Sequence, residues 1–150
     1  MITVLYFLLL LAAAVEDYKS RTVRGYKIFL LWFLGGINLI VQKENRWVMV
    51  TLTCICFMLL LVGYVIVRKV AEKRNLPLAF GGADVRLIPA MMLVQGWDAA
   101  LTGVFLGLCM AALYHLTAGR QKKEIPLVPW MGMGCFLVEI FYLFSGRSVI

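Results

Sequence analysis

With 150 residues, 63% of them hydrophobic and only 15% charged, the chain departs far from soluble domains, in which about 45–50% of residues are apolar and about 25% charged. That balance excludes an ordinary water-soluble domain and points to an all-α protein that crosses a membrane several times. The formal net charge of +7 is no argument for nucleic acid, because the basic residues sit in short loops between apolar runs, where they act as topology signals.

The first run, "MITVLYFLLLLAAAVED", ends in small residues like a cleavable signal peptide. No positive charge precedes it and more apolar runs follow, so it reads as a retained helix over 2–16. Further runs at 27–41, 47–67, 85–97, 98–118 and 127–145 are judged against the roughly 20 residues that cross the hydrocarbon as helix. The fourth is short, and "QGWDAA" leaves only Gly96 to Asp98 for a tight turn before the fifth; a re-entrant hairpin is the alternative for this pair. The expectation is about six transmembrane helices in a single domain over 1–150, with no internal repeat or linker. Trp47 and Trp97 stand at span ends, as interfacial aromatics do.

Six spans divide the basic residues unequally. Lys19, Arg21, Arg24, Lys27, Arg68, Lys69, Lys73, Arg74, Arg86, Arg120, Lys122 and Lys123 fall on one side, and only Lys43, Arg46 and Arg147 on the other. By the positive-inside rule the first side is cytoplasmic and both termini face outward. The four cysteines, Cys54, Cys56, Cys109 and Cys135, all lie in apolar runs and read as small buried hydrophobes, not as disulfide or zinc ligands.

Acidic residues narrow the chemistry. Glu44, Glu72 and Glu124 lie among loop cations, and Asp98 reads as a cap for the helix beginning "DAALTG". Glu139 lies inside the last apolar run, where an ionisable group is buried against partners; a polar tether between helices, a position near the outer surface and a mechanistic role all compete for it. Asp17 closes the first span and Asp84 opens the fourth, so the topology brings both to the cytoplasmic boundary. Two aspartates at one depth on different helices suit an aspartyl protease: one carboxylate activates water while a protonated partner polarises the peptide carbonyl and later protonates the leaving nitrogen. In "FGGADVRLIPA", Gly81, Gly82 and Ala83 let backbone or substrate approach closely and suggest an unwound helix start presenting Asp84. Helix packing and capping are the commoner uses of such a string taken alone. The lone His115 reads as a helix-end contact, and no cofactor loop, serine triad or metal cluster is present in the sequence.

Three stretches resemble the prepilin peptidases, or type IV leader peptidases, intramembrane aspartyl proteases of the G-x-G-D type. "EDYKSRTV" is similar to the first aspartate motif at Asp17, Lys19, Arg21 and Val23; Glu16 adjoins it as the competing acid, and the spacing to Val23 favours Asp17. "FGGADVRLIPAMMLVQGW" is similar to the second at Gly81, Ala83, Asp84, Arg86 and Leu87, with Ala83 where glycine is usual and Arg86 where lysine is common. "EIPLVPWMGMG" matches the approach to the last span at Pro126, Pro129 and Gly132, whereas Arg24 and Gly25 replace a more usual proline and asparagine. The resemblance implies catalysis by Asp17 and Asp84 without metal or cofactor. It implies cleavage of the basic leader from type IV pilin-like precursors, after a glycine and at the cytoplasmic face of the cell membrane. Larger members carry paired C-x-x-C motifs and methylate the processed pilin. This chain begins at a span and has only C-x-C at Cys54 and Cys56, so the resemblance implies a peptidase without methyltransferase, as in the short enzymes of Flp or Tad pilus systems. The competing class is a non-enzymatic subunit of a pilus or secretion assembly, or a small transporter, in which both aspartates merely cap helices or bind an ion. The sequence leaves the oligomeric state open.

Overall fold

The computed structural model describes residues 2–20, 22–41, 46–74, 82–117 and 126–145. Among them are six helices and no strand: α1 (Ile2–Ser20), α2 (Gly25–Val41), α3 (Arg46–Arg74), α4 (Gly82–Gln95), α5 (Trp97–Thr117) and α6 (Leu127–Phe144). Each helix covers one of the apolar runs, because backbone amides in hydrocarbon have to be satisfied within their own segment. By length and apolarity α3, α5 and α6 suffice to cross a membrane, and α2 is a shorter apolar helix. The last turn of α1 carries Glu16, Asp17 and Lys19.

The short fourth run proves to be the centre of the bundle. At 14 residues, α4 is about 21 Å long, less than the hydrocarbon thickness of about 30 Å. Yet every residue from Asp84 to Gln95 except Arg86 is buried, against α2, α3 and α5. It continues through Pro89, which leaves the Val85 carbonyl without its helical N–H partner. The indole N–H of Trp32 on α2 donates to the next carbonyl, that of Arg86, at 3.1 Å. Asn38, further along α2, donates from its side-chain nitrogen to the carbonyls of Leu93 and Val94 at 3.2 and 2.9 Å. Since Trp32 meets Arg86 and Asn38 meets Leu93, α2 and α4 run in the same direction.

The remaining directions follow from similar pairs. Phe7 stacks edge-on against Phe136 with ring centroids 5.5 Å apart, while Asp17 meets Val128, so α1 is antiparallel to α6. Met49 lies near Gly96 and Tyr64 near Gly82, so α3 is antiparallel to α4. The turn between α4 and α5 is a single residue, Gly96, at φ 89°, a left-handed conformation that glycine adopts without the clash of a Cβ. Asp98 does not cap α5 as the sequence suggested. The helix already begins at Trp97, Gly96 accepts the first amide bond from Ala100 at 3.0 Å, and the Asp98 carboxylate lies inside the first turn, where the helix dipole still favours it.

Exposed side chains are apolar over most of the surface. Only Thr53 and Ala71 of the 29-residue α3 are buried, and Phe29, Phe33, Leu59, Phe105 and Phe141 are exposed. Such a surface suits lipid, whose tails are as apolar as a protein core.

Candidate active site

Asp17 lies in the last turn of α1 and Asp84 in the first turn of α4, and both are buried, with 9% and 7% of their surface exposed. One carboxylate oxygen of Asp17 accepts the backbone N–H of Val128 at 3.3 Å. That amide belongs to the first turn of α6, whose N-cap position is Pro126 and has no side-chain cap of its own. Pro129, next along, offers no N–H. An aspartate from α1 therefore partly caps α6 across 111 residues of sequence, a contact that no local pattern reveals.

The level of the two aspartates is defined from the other end of the helices. Tyr6 on α1 donates its hydroxyl to the side-chain oxygen of Gln95 on α4 at 3.1 Å. Asp17 follows Tyr6 by eleven residues, and Asp84 precedes Gln95 by eleven. Eleven residues of helix are just over three turns and about 16 Å. Glu16 near the end of α1 meets Lys27 near the start of α2, so α1 runs opposite to α2 and hence to α4, and this spacing returns both aspartates to the sides of α1 and α4 that meet at Tyr6 and Gln95, and to one common level. The same end of the bundle carries Lys19, Arg24, Lys27, Arg68, Lys69, Lys73, Arg74 and Arg86.

Glu16, the neighbour that competes with Asp17 in sequence, is otherwise engaged. Its carboxylate pairs with the Arg24 guanidinium at 2.9 Å and the Lys27 ammonium at 3.1 Å, and it accepts the Arg24 backbone N–H at 3.2 Å. Lys27 also donates to the Ala12 carbonyl at 2.9 Å. Glu16 thus ties the α1–α2 connection, and Asp17 is the acid turned into the bundle.

The glycine-rich stretch is wound, not unwound, where it is described. The helix starts at Gly82, and Gly82 and Ala83 are half-buried residues of its first turn; Gly81 lies outside the described residues. A Cβ on Gly82 would meet the Tyr64 hydroxyl of α3 at 3.6 Å, an ordinary contact. Asp84 is therefore presented by a formed helix start, close to the amides left without helical partners there. The loop positions Lys43, Glu44, Arg120, Lys122, Lys123 and Glu124 also lie outside the described residues, as does Arg147. His115 is exposed at the end of α5, and among the described residues no group of three or more His, Cys, Asp or Glu side chains gathers in metal-binding fashion.

Two buried carboxyl groups at one level of a bundle are candidates to divide acid and base work. These features define the class: an all-α membrane protein that gathers two buried aspartates at the basic end of its bundle. The profile of the type IV leader peptidase family matches residues 4–116, a range that contains both aspartates and stops before α6. The chain belongs to that family and is a type IV leader peptidase-like protease. No match is found among curated proteins or among solved structures.

Proposed function

We propose that this protease is an aspartic endopeptidase in which Asp17 and Asp84 carry the chemistry. The observation that supports it is the arrival of two buried carboxyls, from helices 1 and 4, at one level of one bundle end. In this reading one ionised aspartate takes a proton from water as the water attacks the scissile carbonyl. The other, protonated, hydrogen-bonds the carbonyl oxygen and then protonates the leaving nitrogen. No metal or cofactor is required. Replacing each carboxyl by its amide, with the chain still inserted, is the direct test.

The substrate in this reading is a type IV pilin-like precursor, of the Flp or Tad kind, cut between its basic leader and its apolar helix. The family supports pilin-like precursors in general, and the apolar surface of the bundle suits a substrate whose mature part lies in lipid. Gly81, Gly82 and Ala83 would keep side-chain bulk low where the extended cleavage segment passes Asp84. Ala83→Leu should accordingly block processing at normal protein levels, and full activity would remove the need for close approach there. The proposal that the chain cuts without methylating draws on its cysteines, which are unpaired and spread over α3, α5 and α6.

The proposed site faces the cytoplasm, in keeping with the basic residues around it. Cysteines introduced at Ser20 and Asn75 should label only from the cytoplasmic side, and one at Asn45 only from outside. Outside labelling at Asn75 would put Asp84 on the face that a cytoplasmic leader never meets, and the peptidase site would have to be sought elsewhere.

A further inference from the structure

Beyond the aspartates, the bundle buries a second polar group with no part in the proposed chemistry. Tyr6 and Gln95 are completely buried and Glu139 is 7% exposed. The Gln95 side chain joins three helices: its oxygen accepts the Tyr6 hydroxyl of α1 at 3.1 Å, and its nitrogen donates to α6, to the Cys135 carbonyl at 3.3 Å and to a Glu139 carboxylate oxygen at 3.4 Å. The amide orientation follows from chemistry, since a backbone carbonyl only accepts and must face the nitrogen. Both amide protons and the oxygen are thereby used. Glu139 follows Val128 by eleven residues, the same interval that separates Tyr6 from Asp17 and Asp84 from Gln95. One layer thus holds Tyr6, Gln95 and Glu139, and the layer about 16 Å away holds Asp17, Asp84 and the α6 amide that Asp17 accepts.

We propose that Tyr6, Gln95 and Glu139 form a register clamp, a set of positioning residues that holds Asp17 at the level of Asp84; this rests on the peptidase reading of the two aspartates. Apolar helices in lipid slide past one another at little penalty, because the alternative neighbours are equally apolar. A polar group breaks that degeneracy. Sliding α1 or α6 by one residue, 1.5 Å along the axis, would strand the Gln95 amide in hydrocarbon, where each unsatisfied group is costly. Helices α1 and α4 each run continuously from the clamp to their aspartate, and α6 from Glu139 to Val128, so a shift at one layer is a shift at the other. A misplacement of about 1 Å at reacting groups can cost 10²-fold in rate.

The test has two readouts in native membranes. In a chain whose own four cysteines are replaced by alanine, Asp17→Cys and Asp84→Cys are introduced together and treated with a short bifunctional thiol reagent. Cross-linking should be efficient with Gln95 present and fall several-fold with Gln95→Leu. In the chain with both aspartates, Gln95→Leu and Glu139→Leu should lower kcat by roughly tenfold to a hundredfold with little change in KM. Glu139→Gln should recover most of the turnover lost in Glu139→Leu, because its amide oxygen still accepts from Gln95. Should Gln95→Leu fail to accumulate, Tyr6→Phe, which removes one hydroxyl and keeps the ring beside Phe7, should show the same fall in cross-linking. Unchanged cross-linking and kcat in these variants would overturn the clamp, as would a Glu139→Gln variant no better than Glu139→Leu. Cross-linking that falls with Gln95→Leu while Asp17→Asn stays active would uphold the clamp and defeat only the peptidase role of Asp17.

Discussion

Asp17→Asn should abolish leader removal while leaving the chain inserted and abundant, and Asp84→Asn should do the same. Loss of a positioned acid or base lowers rates by roughly 10²–10⁴-fold, enough to take precursor processing to background in a pulse-labelling assay. The asparagine substitution is informative because of the bond that Asp17 makes. The amide side chain would keep an oxygen able to accept the Val128 N–H, which lies 3.3 Å from Asp17, so the bond to α6 survives while the proton chemistry is lost. If Asp17 serves solely as a cap, as in a non-enzymatic assembly subunit or small transporter, Asp17→Asn is nearly silent and Asp17→Ala is harmful. Processing that persists in Asp17→Asn but drops with Asp17→Ala would assign the residue to structure. Glu16→Gln is the companion control: Glu16 is bound to Arg24 and Lys27, and processing should continue without its charge.

The largest expected effect on stability lies on the seam between α5 and α6. A Cβ on Gly103 would stand 2.6 Å from the Cys135 Cα, and one on Gly134 would run into the Gly103 carbonyl oxygen and the Gly107 nitrogen. These obstacles are backbone atoms of the facing helix, so no rotamer change relieves them. Gly134→Ala has to push the two helices apart where their backbones face each other. Overpacking of this kind costs about 1–3 kcal/mol, and the separation would also pull the α6 start away from Asp17. The expected result is a lower thermal midpoint in detergent together with reduced activity. Gly63→Ala on α3 provides the comparison, because nothing lies within 4 Å of the added methyl and alanine is the better helix former; it should be neutral or slightly stabilising. Equal midpoints for the two variants would mean that the helices are not in contact at Gly134.

Much of the architecture was legible in the sequence because hydropathy and charge act locally. A run of apolar residues has to be helical in lipid wherever its neighbours lie, and the lysines and arginines between runs polarise the chain without reference to packing. Asp17 and Asp84 stood out for the same reason: each interrupts an apolar run at a boundary, and the alternation of spans carries both to one side.

Which face of each helix turns inward was decided only by the tertiary structure. In water an apolar stripe marks the buried side, but lipid and protein interior are equally apolar, so the sequence shows α4 as the shorter run and does not show that nearly all of it is buried while almost nothing of α3 is. The spacing to Val23 already favoured Asp17 over Glu16, but only the structure shows Arg24 and Lys27 holding Glu16. Nothing in the sequence sets Gln95 or Tyr6 apart. Their roles exist only where α1, α4 and α6 bring a donor, an amide and an acceptor together in a medium that offers no water in their place.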